Sequence, residues 1–374
     1  MISFALAVGF TVVSLATTTP SANAACAYAA SRLPRALGLL GSDTASFEET
    51  RAARKTMGLS DSVRSRASGL AMARALRATR LIVLRCSDEG LMLAIEAAAF
   101  DVERPLAETP LRVSRAAADI AVGIDELARK LTPESKLAPA FRSPNARALT
   151  RAANALSRDT PAERSLALAQ ALDDDPSSMD LRLAATEALI AARDFEGALR
   201  LAGVRPEADT PPVLLRALRF MGAAAQLESG RYAEAAERFE ALRRDQETAA
   251  VLNNLGVARF RRREPQAAEL FASAALLPDH RQRDISFNRS LSLVFDDRAE
   301  QSLASLDRAL AADPTDARSR LLKVWALRML NRQTERAEEW SQLVAIAPSF
   351  SALSNPDLGR KLERILFSER SPQS

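Results

Sequence analysis

Apolar and polar residues between positions 66 and 100 predict a helix followed by two strands. Residues 66–78 repeat their apolar side chains at the i, i+3, i+4, i+7 spacing of a helix. Two apolar runs, 81–86 and 91–100, then follow, joined by a short acidic turn that ends in Gly90. Because glycine readily supplies a positive φ, this order predicts an antiparallel hairpin.

A weaker strand, 106–113, and a helix, 115–131, follow the hairpin. The helix has apolar residues at spacings of four, three and four, and Ser114 stands where an N-cap would begin it. Strands interleaved with helices predict a small α/β domain over residues 1–135, followed by a linker at 136–144.

The amino terminus permits two interpretations. Residues 2–16 are apolar and precede an Ala-x-Ala site, which is the outline of a secretory signal cleaved after Ala24, although no Lys or Arg precedes the apolar run. Alternatively, the β-branched Phe10–Leu15 run is a buried strand that leads through a Thr/Pro loop into a helix at 23–37. The two interpretations exclude each other, because cleavage would remove the strand.

Both cysteines are ambiguous from sequence. Cys26 follows the possible cleavage site, but Asn23 stands where a lipoprotein signal needs an aliphatic residue, so we expect Cys26 to be an ordinary buried thiol. Cys86 ends the first strand of the predicted hairpin.

Three segments after residue 145 repeat one pattern. In 164–176, 302–314 and 336–348 a proline follows the first residue by twelve, and the last two segments begin 34 residues apart. Short motifs accompany them: Asn254-Leu255-Gly256, the run 230–235 (GRYAEA) and the run 195–198 (FEGA). Small residues at these positions let paired helices approach closely, and the proline ends the second helix.

This period and these motifs resemble the tetratricopeptide repeat family. The resemblance implies a mostly α fold, a right-handed α-solenoid of helix hairpins, preceded here by the small α/β domain. We place about six repeats over 145–349 and a capping helix with a tail over 350–374. The repeats lie near 145–178, 179–210, 211–248, 249–280, 282–315 and 316–349, and the capping helix near 356–367.

The amino-terminal pattern resembles the TolB/FlgO-type α/β domain, which often precedes such repeats in bacterial envelope and regulatory proteins. Residues 73–86, 89–105 and 120–131 carry the resemblance, which implies a first central strand near residue 10. Cys86 departs from the family pattern, since a glycine would normally stand there.

Composition argues against catalysis. The 374 residues include one histidine and two cysteines, too few for a Cys/His zinc site, and no nucleotide-binding, nucleophile-elbow or metalloprotease motif occurs. We therefore expect no enzyme, no catalytic residue, no metal and no cofactor. The only histidine, His280, falls in a predicted loop, and the acidic run 173–175 suits a solvated helix end better than a metal site.

Net charge and hydropathy limit the classes of partner that we expect. The net charge is +4, and basic and acidic residues are interspersed, with no nucleic-acid reader motif. No segment reaches 18 apolar residues, so no transmembrane span is expected. A protein or peptide partner remains.

Five residues are candidates for partner binding: Asn254, Asn288, Arg259, Arg261 and Arg262. The two asparagines are 34 residues apart and occupy equivalent first-helix positions, where the repeat family uses amides to clamp a peptide backbone. They could equally be surface groups or hydrogen bonds between repeats. The arginines could attract an acidic partner or simply offset the dipole at the end of a helix.

The sequence thus predicts a non-catalytic bacterial scaffold that binds a peptide or partner helix on the concave face of the repeats. The alternative is a regulatory or sensory module whose α/β domain binds a small ligand. Location stays open: periplasmic if 1–24 is a signal peptide, and cytoplasmic otherwise.

Overall fold

The computed structural model describes residues 9–14, 19–39, 43–57, 66–76, 78–103, 110–133, 144–203, 210–277 and 282–352. The chain forms two compact units, Met1–Ala225 and Gln226–Ser374. The division lies inside the helical repeats. The predicted linker at 136–144 falls almost entirely outside the described residues, as do His280 and the capping helix at 356–367.

A mixed five-stranded sheet begins the first unit. Its order is β2-β1-β3-β4-β5, with β1 parallel to both neighbours and the remaining pairs antiparallel. The first strand is therefore interior to the sheet, as the strand interpretation of the amino terminus requires. The strands are β1 Gly9–Ser14, β2 Asp43–Thr44, β3 Arg80–Glu89, β4 Met92–Asp101 and β5 Leu111–Ala116.

Helices cover both faces of this sheet. Alternate side chains of β3 point to opposite faces, so Ile82 and Leu84 join the core beneath α1 and α4, whereas Leu81 and Val83 join the core beneath α3. The helices are α1 Pro20–Leu39, α2 Phe47–Thr56, α3 Arg66–Ala75 and α4 Ile120–Leu131.

The predicted hairpin is present, but its turn is tighter than expected. Both strands run to the tip, so the acidic residues assigned to the turn belong to β3, and Gly90 turns the chain with φ of 77°. The prediction that Ser114 caps a helix starting at 115 was wrong. Ser114 lies in β5 opposite Ala94, and a short 3-10 turn separates this strand from α4.

The prediction of a free thiol at Cys26 was also wrong. Cys26 of α1 and Cys86 of β3 form a disulfide across a sequence separation of 60 residues. Both cysteines are buried in the core on the α1 face of the sheet.

In the described part of the chain, twelve helices follow as consecutive pairs, which confirms the predicted mostly α, tetratricopeptide-like fold class. Within each pair we call the earlier helix the first helix and the later one the second helix. The first helices are α5 Ala146–Leu156, α7 Met179–Ala191, α9 Pro212–Glu228, α11 Ala249–Arg261, α13 Gln282–Phe295 and α15 Ala317–Met329. The second helices are α6 Pro161–Asp174, α8 Phe195–Gly203, α10 Tyr232–Asp245, α12 Ala267–Ala274, α14 Ala299–Ala312 and α16 Gln333–Ile346.

Five of these pairs turn on one residue with positive φ: Arg193, Gly230, Arg263, Asp297 or Asn331. In each turn, the next residue's N–H donates to a carbonyl five positions earlier, such as Arg298 N to Leu293 O at 2.8 Å. This bond satisfies a carbonyl that the end of the first helix leaves open. Prolines 176, 314 and 348 stand two residues after a second helix ends.

Candidate functional site

The first helices α11, α13 and α15 of the second unit form one layer. Each contacts the next directly, in addition to packing on second helices. The rings of Phe260 on α11 and Phe295 on α13 meet edge to face with centroids 5.5 Å apart. Asn288 of α13 donates a hydrogen bond to Asn253 of α11 at 3.0 Å. Side chains from successive repeats therefore form one continuous surface.

We call six residues of this layer the first-helix stripe: Asn254, Phe260, Asn288, Phe295, Trp325 and Met329. Phe295 and Met329 are 46% and 39% exposed, although both are large and apolar. Phe260 and Trp325 are half-buried, with part of each ring packed on the unit's core. Rigid helices thus hold apolar side chains toward solvent at the same level of successive repeats.

The two predicted asparagines both lie on this stripe but do not bond each other. Asn253 stands between them, since it accepts from Asn288 and its own amide lies 3.4 Å from Asn254 Oδ1. Asn288 therefore makes the inter-repeat hydrogen bond that the alternative interpretation expected. Asn254 is half-buried, and its Nδ2 group has no partner among the residues described, so it can donate to a bound backbone.

The three predicted arginines lie where the sequence placed them, at the C-terminal end of α11, but two belong to a different surface. Arg259 pairs with Glu240 of α10 at 3.1 Å and Arg262 pairs with Glu264 at 3.1 Å. Both line a cleft of about 360 Å³ on the α10 side, whose other charged residues are Glu237 and Arg244. Cations and carboxylates balance there, so the cleft does not concentrate positive charge. Arg261 ends α11 beside Phe260 and is half-buried.

Sequence reasoning missed the aromatic part of the stripe. Met329 follows Phe295 by 34 residues, the period of the repeats, and Trp325 lies one turn before Met329 on α15. The 34-residue period contains this signal, but the period does not show which side of the helix its neighbours leave exposed. The structure buries only one side of them.

A second polar cluster, inside the first unit, was also missed. Arg32 of α1 has a fully buried side chain that bridges two carboxylates, Asp125 of α4 and Asp180 of α7. It donates two bonds to Asp125, at 2.8 and 3.0 Å, and one to Asp180 at 2.7 Å. Tyr28 OH and Arg35 Nη2 also donate to Asp180, at 2.7 and 2.8 Å. This buried cluster joins the α/β domain to the first repeats.

The electrostatics of the cluster favour the ionised form of Asp180, whereas burial raises the pKa of Asp125. Burial opposes ionisation of Asp180, but the charges of Arg32 and Arg35 outweigh it and hold the pKa of Asp180 well below its usual range. Asp180 also lies in the first turn of α7, where the helix dipole favours an anion. Burial, reinforced by the charge of Asp180, raises the pKa of the Tyr28 hydroxyl, so Tyr28 acts as a donor at all ordinary pH values.

Helix α2 adds a further contact between the α/β domain and the repeats. The buried Arg164 of α6 donates hydrogen bonds from Nε and Nη2 to the carboxylate of Glu48, and its guanidinium lies 6.0 Å from the centre of the Phe47 ring. An apolar cavity also lies between α1 and α5, with a volume of about 170 Å³. This volume is smaller than the ~300–1,000 Å³ of typical small-molecule pockets.

No cluster of His, Cys, Asp and Glu suited to a metal ion occurs in the described part of the chain. Within the same ranges, no helix is both long and apolar enough to span a membrane.

Comparisons with known proteins add little beyond the fold. No family model matches the chain, and no curated protein is detectably similar in sequence. The TolB/FlgO-type resemblance of the α/β domain therefore remains a prediction.

Three solved tetratricopeptide structures are similar at low identity. YrrB, described as a TPR protein with an unusual peptide-binding site, is 15% identical over 54% of this chain and 99% of its own, with a TM-score of 0.41. PilF of Pseudomonas aeruginosa is 19% identical over 59% of this chain and 94% of its own, with a TM-score of 0.41. A tetratricopeptide repeat protein of Parabacteroides merdae is 11% identical over 66% of this chain and 91% of its own, with a TM-score of 0.41. At such scores these likenesses carry no functional argument.

Proposed function

We propose that this chain is a non-catalytic scaffold whose first-helix stripe binds a peptide or helix of a protein partner. The carrying observation is the exposure of Phe295 and Met329 at equivalent positions of adjacent repeats, beside the half-buried Trp325. Aromatic residues, methionine and arginine are enriched where proteins bind one another. A stack of helices presents such residues at fixed spacing to an extended or helical segment.

The predicted polar residues take different parts in this proposal. Asn254 offers a free amide donor to a bound backbone, while Asn288 fixes the spacing of α11 and α13 through Asn253. Arg261 lies at the edge of the stripe. Arg259 and Arg262 contribute less, because a partner would have to displace Glu240 and Glu264 first.

Site-specific photocrosslinking in the native cell tests this proposal. A photoreactive phenylalanine analogue replaces Phe295 in one variant and the exposed Ala304 of second helix α14 in a matched control. We expect one discrete crosslinked protein from position 295 and none from 304. Equal crosslinking at both positions, or crosslinking at 304 alone, would contradict the proposal.

A second experiment separates the two asparagines. Asn254→Ala should weaken capture of the protein partner without lowering the melting temperature of the chain. Asn288→Ala should weaken capture of the partner and also lower the melting temperature. Unchanged capture in both variants, with unchanged melting, would refute a backbone-clamping role.

We also propose that the protein works in an oxidising compartment and keeps β1. The support is the Cys26–Cys86 disulfide, because such bonds persist where thiols are not kept reduced. Cleavage after Ala24 would remove β1 and the start of α1. Intact-mass analysis of protein from its native cell should find the disulfide and residues 9–14 together. An amino terminus at Ala25, or free thiols, would overturn this proposal.

A further inference from the structure

Arg182 of the first helix α7 is buried without a counter-charge. The residue is 8% exposed, and its Nη2 donates a hydrogen bond to the carbonyl of Pro176 at 2.7 Å. Its Nε is buried without an acceptor, and among the described residues no carboxylate pairs with the guanidinium. Burial therefore lowers the pKa of Arg182, and no neighbouring charge offsets this effect. A buried cation in such surroundings is costly, so its presence calls for a physical reason.

The two buried carboxylates nearest to Arg182 along the chain have other partners. Asp180 pairs with Arg32, and it lies two residues before Arg182, on nearly the opposite side of α7. Asp175 accepts hydrogen bonds from the hydroxyl of Ser177 at 3.0 Å and the backbone N–H of Asn145 at 2.9 Å. Neither carboxylate neutralises the arginine.

The last helix pair shows what an arginine at this position contacts. Helices α7 and α15 begin 138 residues apart, as do α8 and α16, so Arg320 is the equivalent of Arg182. Nη2 of Arg320 donates to the carbonyl of Pro314 at 2.8 Å, which repeats the contact with Pro176. Nη1 donates to Glu339 of α16 at 2.8 Å and also to Gln342. This position therefore holds a carboxylate in the last pair.

Helix α8 does not supply the matching carboxylate. Leu201 stands at the position of Glu339, and it packs on the core of the first unit. Helix α8 ends at Gly203, and the residue equivalent to Gln342 is Val204, which lies outside the described residues. In its described part, the α7–α8 pair thus keeps the arginine and its proline anchor but has an apolar residue in place of the acid.

We infer that Arg182 is a binding site for a carboxylate from another molecule, either an acidic side chain of a bound protein or a free small carboxylate. Arginine N–H groups form charge-assisted hydrogen bonds with carboxylate oxygens. Nε and Nη1 of Arg182 are the unpartnered donors among the described residues, and only Nε is fully buried, so a ligand from solvent reaches Nη1 first. The site lies on the α7–α8 pair and does not depend on the first-helix stripe.

Thermal melting of the full chain in acetate and in chloride, at equal ionic strength, tests this inference. Acetate should raise the melting temperature of the wild type by about 1–2 °C relative to chloride, because it binds the folded chain. Arg182→Met should abolish this rise without lowering the melting temperature in chloride, since it breaks no buried ion pair. No rise in the wild type, or an equal rise in Arg182→Met, would overturn the inference.

Arg320→Met is the matched control. It removes the same side chain where a carboxylate is already bound, so it should lower the melting temperature in chloride while the acetate-dependent rise remains. Loss of the rise in this variant would show that acetate does not act at Arg182.

A second pair of variants supplies the carboxylate from α8 and stays informative if Arg182→Met does not fold. Leu201→Glu reproduces the arrangement of Arg320 and Glu339, whereas Leu201→Gln has the same size without the charge. Leu201→Glu should melt at a higher temperature than Leu201→Gln and should lose the acetate-dependent rise. Equal melting temperatures, with the rise intact in both, would contradict a carboxylate site at Arg182.

Peptide probes distinguish the two sources of the carboxylate. The probes are a capped Ala-Glu-Ala tripeptide and its Ala-Gln-Ala counterpart. A rise with the glutamate peptide at an at least tenfold lower concentration than with acetate, about 1.4 kcal/mol tighter, would assign the site to an acidic side chain of a protein. A rise at the same concentration as acetate would assign it to a free small carboxylate. An equal rise with the glutamine peptide would overturn the inference, because no carboxylate is then needed.

Discussion

In the unit Met1–Ala225, Arg32 lies between Asp125 and Asp180 with no exposed side-chain surface. In the unit Gln226–Ser374, ion pairs such as Arg332–Glu300 remain at the surface, with 39% and 62% of their side chains exposed. The buried cluster connects α1 and α4 of the α/β domain to α7 of the repeats. The surface pairs connect neighbouring repeats and leave the aromatic stripe uncovered.

Helix pairs of the same architecture therefore have different surroundings in the two units. Identical helix hairpins cannot specify where an unlike domain attaches, because their apolar faces are alike. A buried polar cluster can specify the attachment site, since a domain docked in the wrong position would leave buried charges without partners. In the second unit no unlike domain is attached among the residues described, and apolar side chains are available to a partner.

The largest expected effect is the loss of Asp180. Asp180→Asn removes the carboxylate that faces Arg32 and Arg35 while keeping its size. Because the buried Arg32 then keeps only the carboxylate of Asp125 and Arg35 loses its ion pair at 2.8 Å, we expect a loss of ~3–5 kcal/mol in the free energy of unfolding. Urea unfolding followed by circular dichroism measures it.

The pH dependence checks that charge causes this loss. The folded-state pKa of Asp180 lies below the ordinary unfolded value of about 3.9, so its stabilisation is complete above that value and disappears as the pH falls toward the folded-state pKa. The difference between the wild type and Asp180→Asn should be constant from pH 6 to 8 and shrink below about pH 4. A difference that persists unchanged at pH 3 would point to packing instead.

Removal of the disulfide should have the next largest effect. Cys26→Ser combined with Cys86→Ser frees a loop of 60 residues in the unfolded chain, which we expect to cost ~2–4 kcal/mol. In calorimetry the unfolding transition of the first unit should shift to lower temperature, since both cysteines belong to that unit. Unchanged unfolding with and without reductant would show that the bond contributes nothing to stability.

Gly256 tests the packing of paired helices in the second unit. A Cβ added there would lie 2.7 Å from the Phe271 ring, which is buried between α11 and α12. We expect Gly256→Ala to cost ~1–3 kcal/mol through overpacking. Gly203→Ala is the matched control, because a Cβ there meets none of the described residues within 4 Å. Equal stability of both variants would mean that α11 and α12 are less closely packed than described.

The smallest effect should come from the exposed pair Arg332–Glu300. Glu300→Ala should change stability by no more than ~1 kcal/mol, since water and salt already screen the pair. A loss as large as that of Asp180→Asn would remove the contrast between the two units.

Local patterns predicted most of the fold. The repeat helices and the hairpin of β3 and β4 depend on spacing within a few residues, which a sequence displays directly. Helix α2 was missed because it buries little beyond Phe47 and Thr50, so it has almost no apolar stripe. Strand β2 has only two residues, too few for any alternation.

The functional surfaces were harder to predict because they depend on long-range contacts. Arg32 is separated by 93 positions from Asp125 and by 148 from Asp180, and no local pattern links them. The asparagines were placed correctly by the repeat period, but their bonding through Asn253 depends on how closely α11 and α13 approach. The exposure of Phe295 likewise depends on which side of its helix the neighbours leave open.

We propose that the first-helix stripe binds a partner and that its exposed apolar residues, Phe295 and Met329, contribute little to the stability of the fold. The most direct test is the yield of crosslinked partner from a photoreactive analogue at Phe295, measured with and without Met329→Ala. We predict that the yield falls about tenfold or more while the melting temperature stays unchanged. An unchanged yield at unchanged stability would contradict the claim.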